Sequence, residues 1–204
     1  MHIDVMVEEP SARVAMNNLL PRLLAGRATF KVVDFQGKQE MLRKIPDRLR
    51  GYAQRFAQED LCLLVLIDED REDCKMIKAK LEEIAAQAGL ITKTAAGPAA
   101  RFNVVNRIVV EELEAWFFGD VEALRVAYPR VPESLGRRAA YRDPDAIKGG
   151  TWEALHRVLR NAGYYSNYFP KIEVARRVSA HMDPARNMSG SFRNFCAAVE
   201  AILA

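Results

Sequence analysis

The feature that most constrains this chain is an uninterrupted apolar run, Leu61–Ile67, which ends directly in acidic residues. A run of this length and composition is typical of a central β-strand that is covered on both faces. Strands of this kind belong to parallel sheets with helices packed on either side. The sequence therefore predicts an α/β fold rather than an antiparallel sandwich.

Further strands are predicted from β-rich segments that alternate with helical stretches in the first half of the chain. The predicted strands are Ile3–Val7, Thr29–Phe35, Leu90–Thr94 and Phe102–Val110. The predicted helices are Ser11–Gly26, Lys38–Ala57 with an interruption at Pro46, Arg71–Ala88 and Glu111–Phe118. Repeated β-α-β units imply a mostly parallel, doubly wound sheet.

The pattern changes at Gly119, after which the chain reads as helical or irregular. Helices are predicted over Thr151–Ala162, Lys171–His181 and Ser191–Leu203. We therefore expect an α/β core over residues 1–118 and a mainly helical elaboration over residues 119–204. The elaboration could equally pack onto the sheet within one domain.

Composition and charge set broad limits on function. The net charge is +3, which is mildly basic and does not by itself establish a nucleic-acid partner. The cysteine count is three, without CxxC or Cys/His ligand spacing, which favours a reducing compartment and argues against structural disulfides or zinc. The N-terminus lacks a signal-peptide pattern and no apolar run reaches a membrane span of roughly 18 residues. We expect a cytoplasmic protein with no membrane partner.

Carboxylates follow the predicted first, third and last strands. Glu8 follows the first strand, Asp68 and Asp70 follow the third, and Glu114 lies just after the last. In open α/β sheets, ligands bind beyond the carboxyl ends of the strands. Asp68 and Asp70 would face the same side if the chain stays extended. Acids held this close repel one another, and Mg²⁺, which prefers hard oxygen ligands, would remove that penalty.

Each acid also has a simpler interpretation, since acidic residues are favourable at helix N-termini. For any single residue this explanation is at least as good as a ligand role. Acids at several strand ends together favour a site.

Other familiar templates do not fit. The EF-hand pattern fails because Asp73 stands at the turn glycine and Ala79 at the closing glutamate. The chain also lacks GxGxxG, GxxxxGK[ST] and HExxH. The absence of the two glycine-rich patterns argues against a dinucleotide site and a P-loop ATPase.

Basic residues gather in the helical stretch that follows the second strand. Lys38, Arg43, Lys44 and Arg48 are opposed there by few acids. A solvated helix face is the common explanation of such a cluster. Beside an acidic metal site, the same residues would suit the phosphate backbone of DNA or RNA.

Several longer segments resemble the bacterial family labelled domain of unknown function 4276, across nearly the whole chain. The segments are Val7–Ser11, Asp34–Lys38, Ile67–Asp70, Glu111–Phe117, Tyr141–Asp145 and His181–Asn187. That family is in turn similar to Toprim domains, the catalytic fold of primases, topoisomerases and certain nucleases.

The Toprim resemblance implies roles for individual residues. Glu8 matches the acid after the first strand, and Asp68 and Asp70 match the Asp-x-Asp after the third. The second acid of the first motif is absent, since Ala12 stands there. Glu114 resembles the acid of a Glu-x-Trp motif and would complete the metal ligands, while Lys171 resembles a catalytic basic residue.

Two functions follow from the resemblance. The first is a Mg²⁺- or Mn²⁺-dependent nuclease, with Glu8 as a ligand or general base. The second is a catalytically idle Toprim-like module that works with an ABC-type ATPase. The chain is short for a topoisomerase and lacks the zinc module of a primase.

Overall fold

The computed structural model of the chain describes residues 1–70, 72–97 and 101–204. It contains a sheet of four parallel strands in the order β2-β1-β3-β4, with helices on both faces. The strands are β1 (His2–Val7), β2 (Thr29–Asp34), β3 (Leu61–Asp68) and β4 (Val104–Val109). The predicted α/β class, with a parallel sheet and a helical C-terminal part, is confirmed.

The apolar run forms the central strand. Every residue of β3 is buried, and β3 pairs in parallel with β1 on one side and β4 on the other. Its side chains alternate between two cores, as the pleat of a strand requires. The prediction from Leu61–Ile67 is therefore confirmed.

Nine α-helices cover the sheet or extend from it in the described residues. They are α1 (Pro10–Leu24), α2 (Lys38–Arg55), α3 (Cys74–Gln87), α4 (Lys93–Ala96), α5 (Leu113–Phe118), α6 (Val121–Ala127), α7 (Thr151–Asn161), α8 (Lys171–Ser179) and α9 (Gly190–Leu203). Two short 3-10 helices, Glu133–Arg137 and Pro144–Ala146, lie between α6 and α7.

The two faces of the sheet pack against different helices. Met6 and Val65 belong to a core with α2 and α3 on one face. Val5 and Leu64 belong to a larger core on the other face, which includes α1 and buried residues of α5 to α9. The C-terminal helices therefore share their core with the sheet.

The predicted strand at Leu90–Thr94 is wrong. Thr92 makes one isolated bridge to Val104, and the helix α4 begins directly after it. The Thr92 hydroxyl accepts a hydrogen bond from the amide of Ala95 at 3.2 Å, so this residue caps a helix. Side-chain capping and the helix-favouring alanines outweigh the local β propensity.

The predicted interruption at Pro46 is also wrong, because α2 is continuous from Lys38 to Arg55. Ile45 and Leu49 lie on one buried stripe that spans the proline. Packing of that stripe on the sheet offsets the missing backbone hydrogen bond.

The third helix was predicted from Arg71, which lies outside the described residues, and α3 begins at Cys74. Within the described residues, no helix is long and apolar enough to cross a membrane.

Candidate functional site

The sheet brings the acidic strand ends to one edge. In the parallel register, Val7 lies opposite Leu66, and Asp68 lies opposite Val109. The strands β1, β3 and β4 are neighbours, so the residues that follow them emerge side by side. The backbone amide of Asp68 donates to the Glu8 carboxylate at 3.3 Å. Glu8 and Asp68 are therefore in direct contact.

Asp68 lies where the strand meets the next layer of helices. Its carboxylate is buried and accepts a hydrogen bond from the amide of Leu113, the first residue of α5, at 3.3 Å. The loop after β3 is also tied to the loop after β4, because the Asp70 amide donates to the Glu111 carbonyl at 2.8 Å. These bonds fix α5 against the end of β3.

Glu114 is the third acid at this edge. It lies in the first turn of α5 and is only 2% exposed. Burial raises the pKa of Asp68 well above its usual range, and the charges of Glu8 and Glu114 raise it further. We call Glu8, Asp68 and Glu114 the acidic cluster.

The other two members of the acidic cluster are perturbed in the same direction. Burial raises the pKa of Glu114 to about 7, against the opposing charge of Lys171. Burial and the Asp70 charge raise the pKa of Glu8 to about 7. Removal of water and mutual repulsion therefore make the ionised cluster costly without a cation.

Asp70 lies close enough to Glu8 for its charge to raise the pKa of Glu8, but its backbone conformation differs from the expected one. The chain is not extended at this residue, which has a left-handed φ of 55°. Its carboxylate is partly exposed and forms an ion pair with Lys38 at 2.7 Å. The extended backbone on which the expected common orientation of Asp68 and Asp70 depended is absent at Asp70, because the strand ends at Asp68.

Lys38 belongs to the acidic edge. It is the first residue of α2 and follows Gly37, whose φ of +101° is accessible mainly to glycine. The Gly37 amide donates to the Glu8 carbonyl at 3.1 Å, which ties this turn to the end of β1. The structure thus separates Lys38 from Arg43, Lys44 and Arg48, the exposed basic face of α2.

Lys171 reaches the edge from the C-terminal part of the chain. It begins α8, and its ammonium lies 3.4 Å from the Glu9 carboxylate and 5.7 Å from the Trp152 ring. Burial acts to lower the pKa of Lys171, but the charges of Glu114, Glu9 and Glu112 raise it overall. The predicted residue is therefore adjacent to the acidic cluster.

Two acids at the edge have roles that the sequence did not assign. Glu9 pairs with Lys171. The Glu112 carboxylate accepts hydrogen bonds from the amides of Thr151 and Trp152 and so caps α7 from a distance. In the sequence, the role of Glu112 is indicated only by the pair Gly149-Gly150. Glycine has no side chain that could cap α7 locally, so the cap must come from elsewhere in the chain.

The donor chemistry of the acidic cluster fits a hard divalent cation, since it consists of buried carboxylates that repel one another. The structure does not, however, hold these carboxylates together as a complete set of metal ligands. Among residues 1–70, 72–97 and 101–204, no three His, Cys, Asp or Glu side chains are grouped as metal ligands.

Two surfaces flank the acidic edge. Lys44 pairs with Glu40 at 2.7 Å and Arg48 lies 5.2 Å from the Phe35 ring, both on the basic face of α2. On the other side, a cleft of about 530 Å³ lies beside Lys171. Its lining includes Ser11, Tyr168, Ile172 and Arg176.

The fold and this edge define a class of protein: a parallel α/β domain with a buried carboxylate cluster at the C-terminal ends of its strands. The family model that matches the chain is the domain of unknown function DUF4276, over residues 7–200. The chain belongs to that family. Comparison with curated proteins and with solved structures gave no match.

Proposed function

We propose that this protein is a Toprim-like, metal-dependent enzyme that cleaves phosphodiester bonds in nucleic acid, with Mg²⁺ or Mn²⁺ as its cofactor. The observation that carries the proposal is the acidic cluster at adjacent strand ends, with lysines on either side. Carboxylates that bind a divalent ion, next to cations that face phosphate, are the groups that phosphodiester cleavage requires.

The position of the acids in the fold supports the Toprim assignment. Glu8 follows the first strand and Asp68 ends the third, and these strands are neighbours in the sheet. Glu114 follows the last strand and supplies the acid that Ala12 does not. The cluster therefore draws on three of the four strand ends that lie at this edge.

Each residue has a task in the proposed reaction. Asp68 and Glu114 would hold the metal, and Glu8 would act as a further ligand or as the base for the attacking water. When bound, the divalent ion would supply positive charge to the phosphate oxygens. The Lys171 ammonium would offset charge that develops on the same phosphate. Arg43, Lys44 and Arg48 would contact the nucleic-acid backbone farther from the reacting bond.

The central test is cleavage of labelled single- and double-stranded DNA and RNA with added Mg²⁺ or Mn²⁺. We expect metal-dependent cleavage by the unaltered protein and a complete loss in Asp68→Ala, because this change removes a ligand and its charge. Asp47→Ala is the matched control, since Asp47 is an exposed acid on α2 away from the cluster. Cleavage that survives Asp68→Ala would contradict the proposal.

A second candidate is a catalytically idle module that binds an ABC-type ATPase. It is favoured by the fact that Lys38 and Lys171 already neutralise Asp70 and Glu9 within the chain. A protein of this kind would show no cleavage with either metal and would form a stable complex with such an ATPase.

A further inference from the structure

We infer that the cleft beside Lys171 is a phosphate-binding subsite, and that it takes a phosphate group of the nucleic-acid substrate close to the bond to be cleaved. The cleft has a volume of about 530 Å³ and is lined by the first turns of α1 and α8. The inference rests on the proposed function only for the source of the phosphate, because the groups in the cleft favour a phosphate group of any origin.

The helices α1 and α8 run side by side in the same direction. At their starts, the Lys171 ammonium lies 3.4 Å from the Glu9 carboxylate. Near their ends, the Arg22 guanidinium donates to the carbonyl oxygen of Met182, just beyond α8, at 2.6 Å. Parallel helices place the positive ends of both dipoles at the cleft, and an anion between them is stabilised by both.

Neither helix start carries a side-chain cap. Glu9 precedes α1 and Pro170 precedes α8, and neither residue makes a capping bond. The regular backbone bonds begin with the amides of Arg13 and Val174, which donate to the carbonyls of Glu9 and Pro170. The amides just before Arg13 and Val174 have no helical acceptor and are available to a ligand.

A buried hydroxyl group at the same place gives independent evidence of a ligand. Ser11 lies in the first turn of α1, lines the cleft and is only 1% exposed. Among the described residues, its hydroxyl oxygen has no hydrogen-bond partner. A buried hydroxyl without a partner is unfavourable, whereas a phosphate oxygen in the cleft would accept its hydrogen bond.

The charges that line the cleft also favour an anion. Its two acids are paired within the chain, Glu9 with Lys171 at 3.4 Å and Glu173 with Arg177 at 3.7 Å. Arg176 is exposed and forms no ion pair in the part of the chain that the structure describes. One cation and two helix N-termini therefore remain to bind a phosphate group, which suits the planar guanidinium.

The cleft has room for more than the phosphate. Pockets of about 300–1,000 Å³ hold small ligands, and this cleft lies within that range. Tyr168 lines it and is 71% exposed, so a base attached to the phosphate would stack on its ring. The charge of Lys171 also acts on Glu114, which places the cleft next to the acidic cluster.

The experiment is calorimetric titration of the metal-free full chain with inorganic phosphate, in the presence of a chelator. Sodium chloride at equal ionic strength is the blank. We expect saturable binding of one phosphate per chain. The affinity should fall about 10-fold in Ser11→Ala, which removes a hydrogen bond to a charged group, and about 5-fold in Arg176→Gln, which removes an exposed charge.

Matched controls are Ser134→Ala and Arg193→Gln, which change an exposed serine and an exposed arginine outside the cleft. Both should bind phosphate like the unaltered protein. Equal affinity of Ser11→Ala, Arg176→Gln and the two controls would overturn the inference, and so would an equal response to chloride.

Thermal unfolding separates a ligand contact from a structural role of Ser11. Without phosphate, Ser11→Ala should be at least as stable as the unaltered protein, because it removes a hydroxyl that has no partner. Phosphate should raise the Tm of the unaltered protein more than that of the variant. If Ser11→Ala does not fold, Arg176→Gln and Arg193→Gln still decide the question, since both residues are exposed.

Competition by DNA and RNA oligonucleotides identifies the source of the phosphate, and the chelator prevents metal-dependent cleavage. Displacement of bound phosphate by an oligonucleotide would support the subsite in full. Phosphate that no oligonucleotide displaces would support the anion site and overturn its assignment to the substrate. Metal-dependent cleavage by a protein that binds no phosphate in the cleft would overturn this inference and leave the proposed function in place.

Discussion

Glu114 is a carboxyl group enclosed by protein, and burial is the main reason that its pKa rises to about 7. In the unfolded chain it would ionise near its ordinary value of 4.5. The folded state therefore holds a proton that the unfolded state releases. The stability that Glu114 contributes is fully present below pH 4.5 and is lost as the pH rises through about 7.

The corresponding prediction concerns Glu114→Gln, which removes the titration and keeps the shape. In metal-free protein, the decrease in the free energy of unfolding between acidic and neutral pH should be smaller by about 3 kcal/mol in this variant. Urea unfolding at a series of pH values measures it. Glu83→Gln, an exposed change on α3, should follow the unaltered protein. A parallel pH curve for Glu114→Gln would contradict the predicted perturbation.

At the scale of elements, α2 presents two different charged surfaces. Its first residue, Lys38, is bonded into the acidic edge, whereas Arg43, Lys44 and Arg48 are exposed farther along the helix. The helix thus connects the proposed metal centre with a basic surface. Substitutions in the exposed basic face of α2 should therefore affect nucleic-acid binding differently from substitutions of Lys38.

Lys44→Ala and Arg48→Ala should weaken binding of nucleic acid without changing the rate of cleavage of bound substrate. If each side chain neutralises one phosphate, the slope of log affinity against log salt should fall by about 0.9 for duplex DNA or about 0.7 for a single strand. Fluorescence anisotropy at several salt concentrations measures the slope. Lys80→Ala, an exposed lysine on α3, is the control and should leave the slope unchanged.

A second element-scale feature is the attachment of the segment His181–Asn187 to the rest of the chain. Asp120 is 1% exposed, caps α6 through the amide of Ala123 and accepts a hydrogen bond from the Asp183 amide at 2.8 Å. Its carboxylate also binds the Arg186 guanidinium at 2.8 and 3.0 Å. The segment that contains Asp183 and Arg186 is therefore fastened to the start of α6.

Asp120→Ala should lower the free energy of unfolding by about 3 kcal/mol, because it removes a helix cap and takes away the buried carboxylate that accepts from the Asp183 amide and pairs with the Arg186 guanidinium. Arg186→Ala should cost less, since Asp120 keeps its two backbone donors. Asp143→Ala, at an exposed residue whose side chain makes no cap, should stay within about 0.5 kcal/mol of the unaltered protein. Equal stabilities of Asp120→Ala and Asp143→Ala would contradict this account.

At the scale of the whole molecule, the larger core joins the sheet to the C-terminal helices. Trp116 packs against Phe192 and Phe195 of α9, with ring centroids 5.0 Å apart in each pair. Its indole nitrogen donates to the Ser191 hydroxyl at 2.8 Å. The helical elaboration is thus a covering layer of the sheet.

A fragment of residues 1–118 should therefore not fold independently. It would leave α1, α5 and one sheet face without the apolar partners that the full chain supplies. We expect no cooperative urea transition by circular dichroism and strong binding of a hydrophobic dye, in contrast to the full chain. A cooperative transition of the fragment would show that the α/β core is a separate domain.

Local sequence was sufficient for the elements with a strong pattern. The apolar run at Leu61–Ile67 predicted a central strand because a run of this length and composition is typical of a strand with both faces covered. Local sequence was insufficient where side-chain capping or packing outweighs the intrinsic preference of a residue for a strand or a helix break. Thr92 caps a helix instead of continuing a strand, and Pro46 lies within a helix instead of interrupting it. Neither contact can be inferred from neighbouring residues alone.

For the candidate site, the sequence determined which acids follow the strands, and parallel strands then bring Glu8 and Asp68 to one edge. Only the tertiary structure decided how the charges are distributed among them. The order of the strands placed Lys38 beside Asp70, and the packing of α8 brought Lys171 to Glu9. Such pairs join residues far apart in the chain, and their geometry follows from the packing of whole elements, which no local pattern of residues specifies.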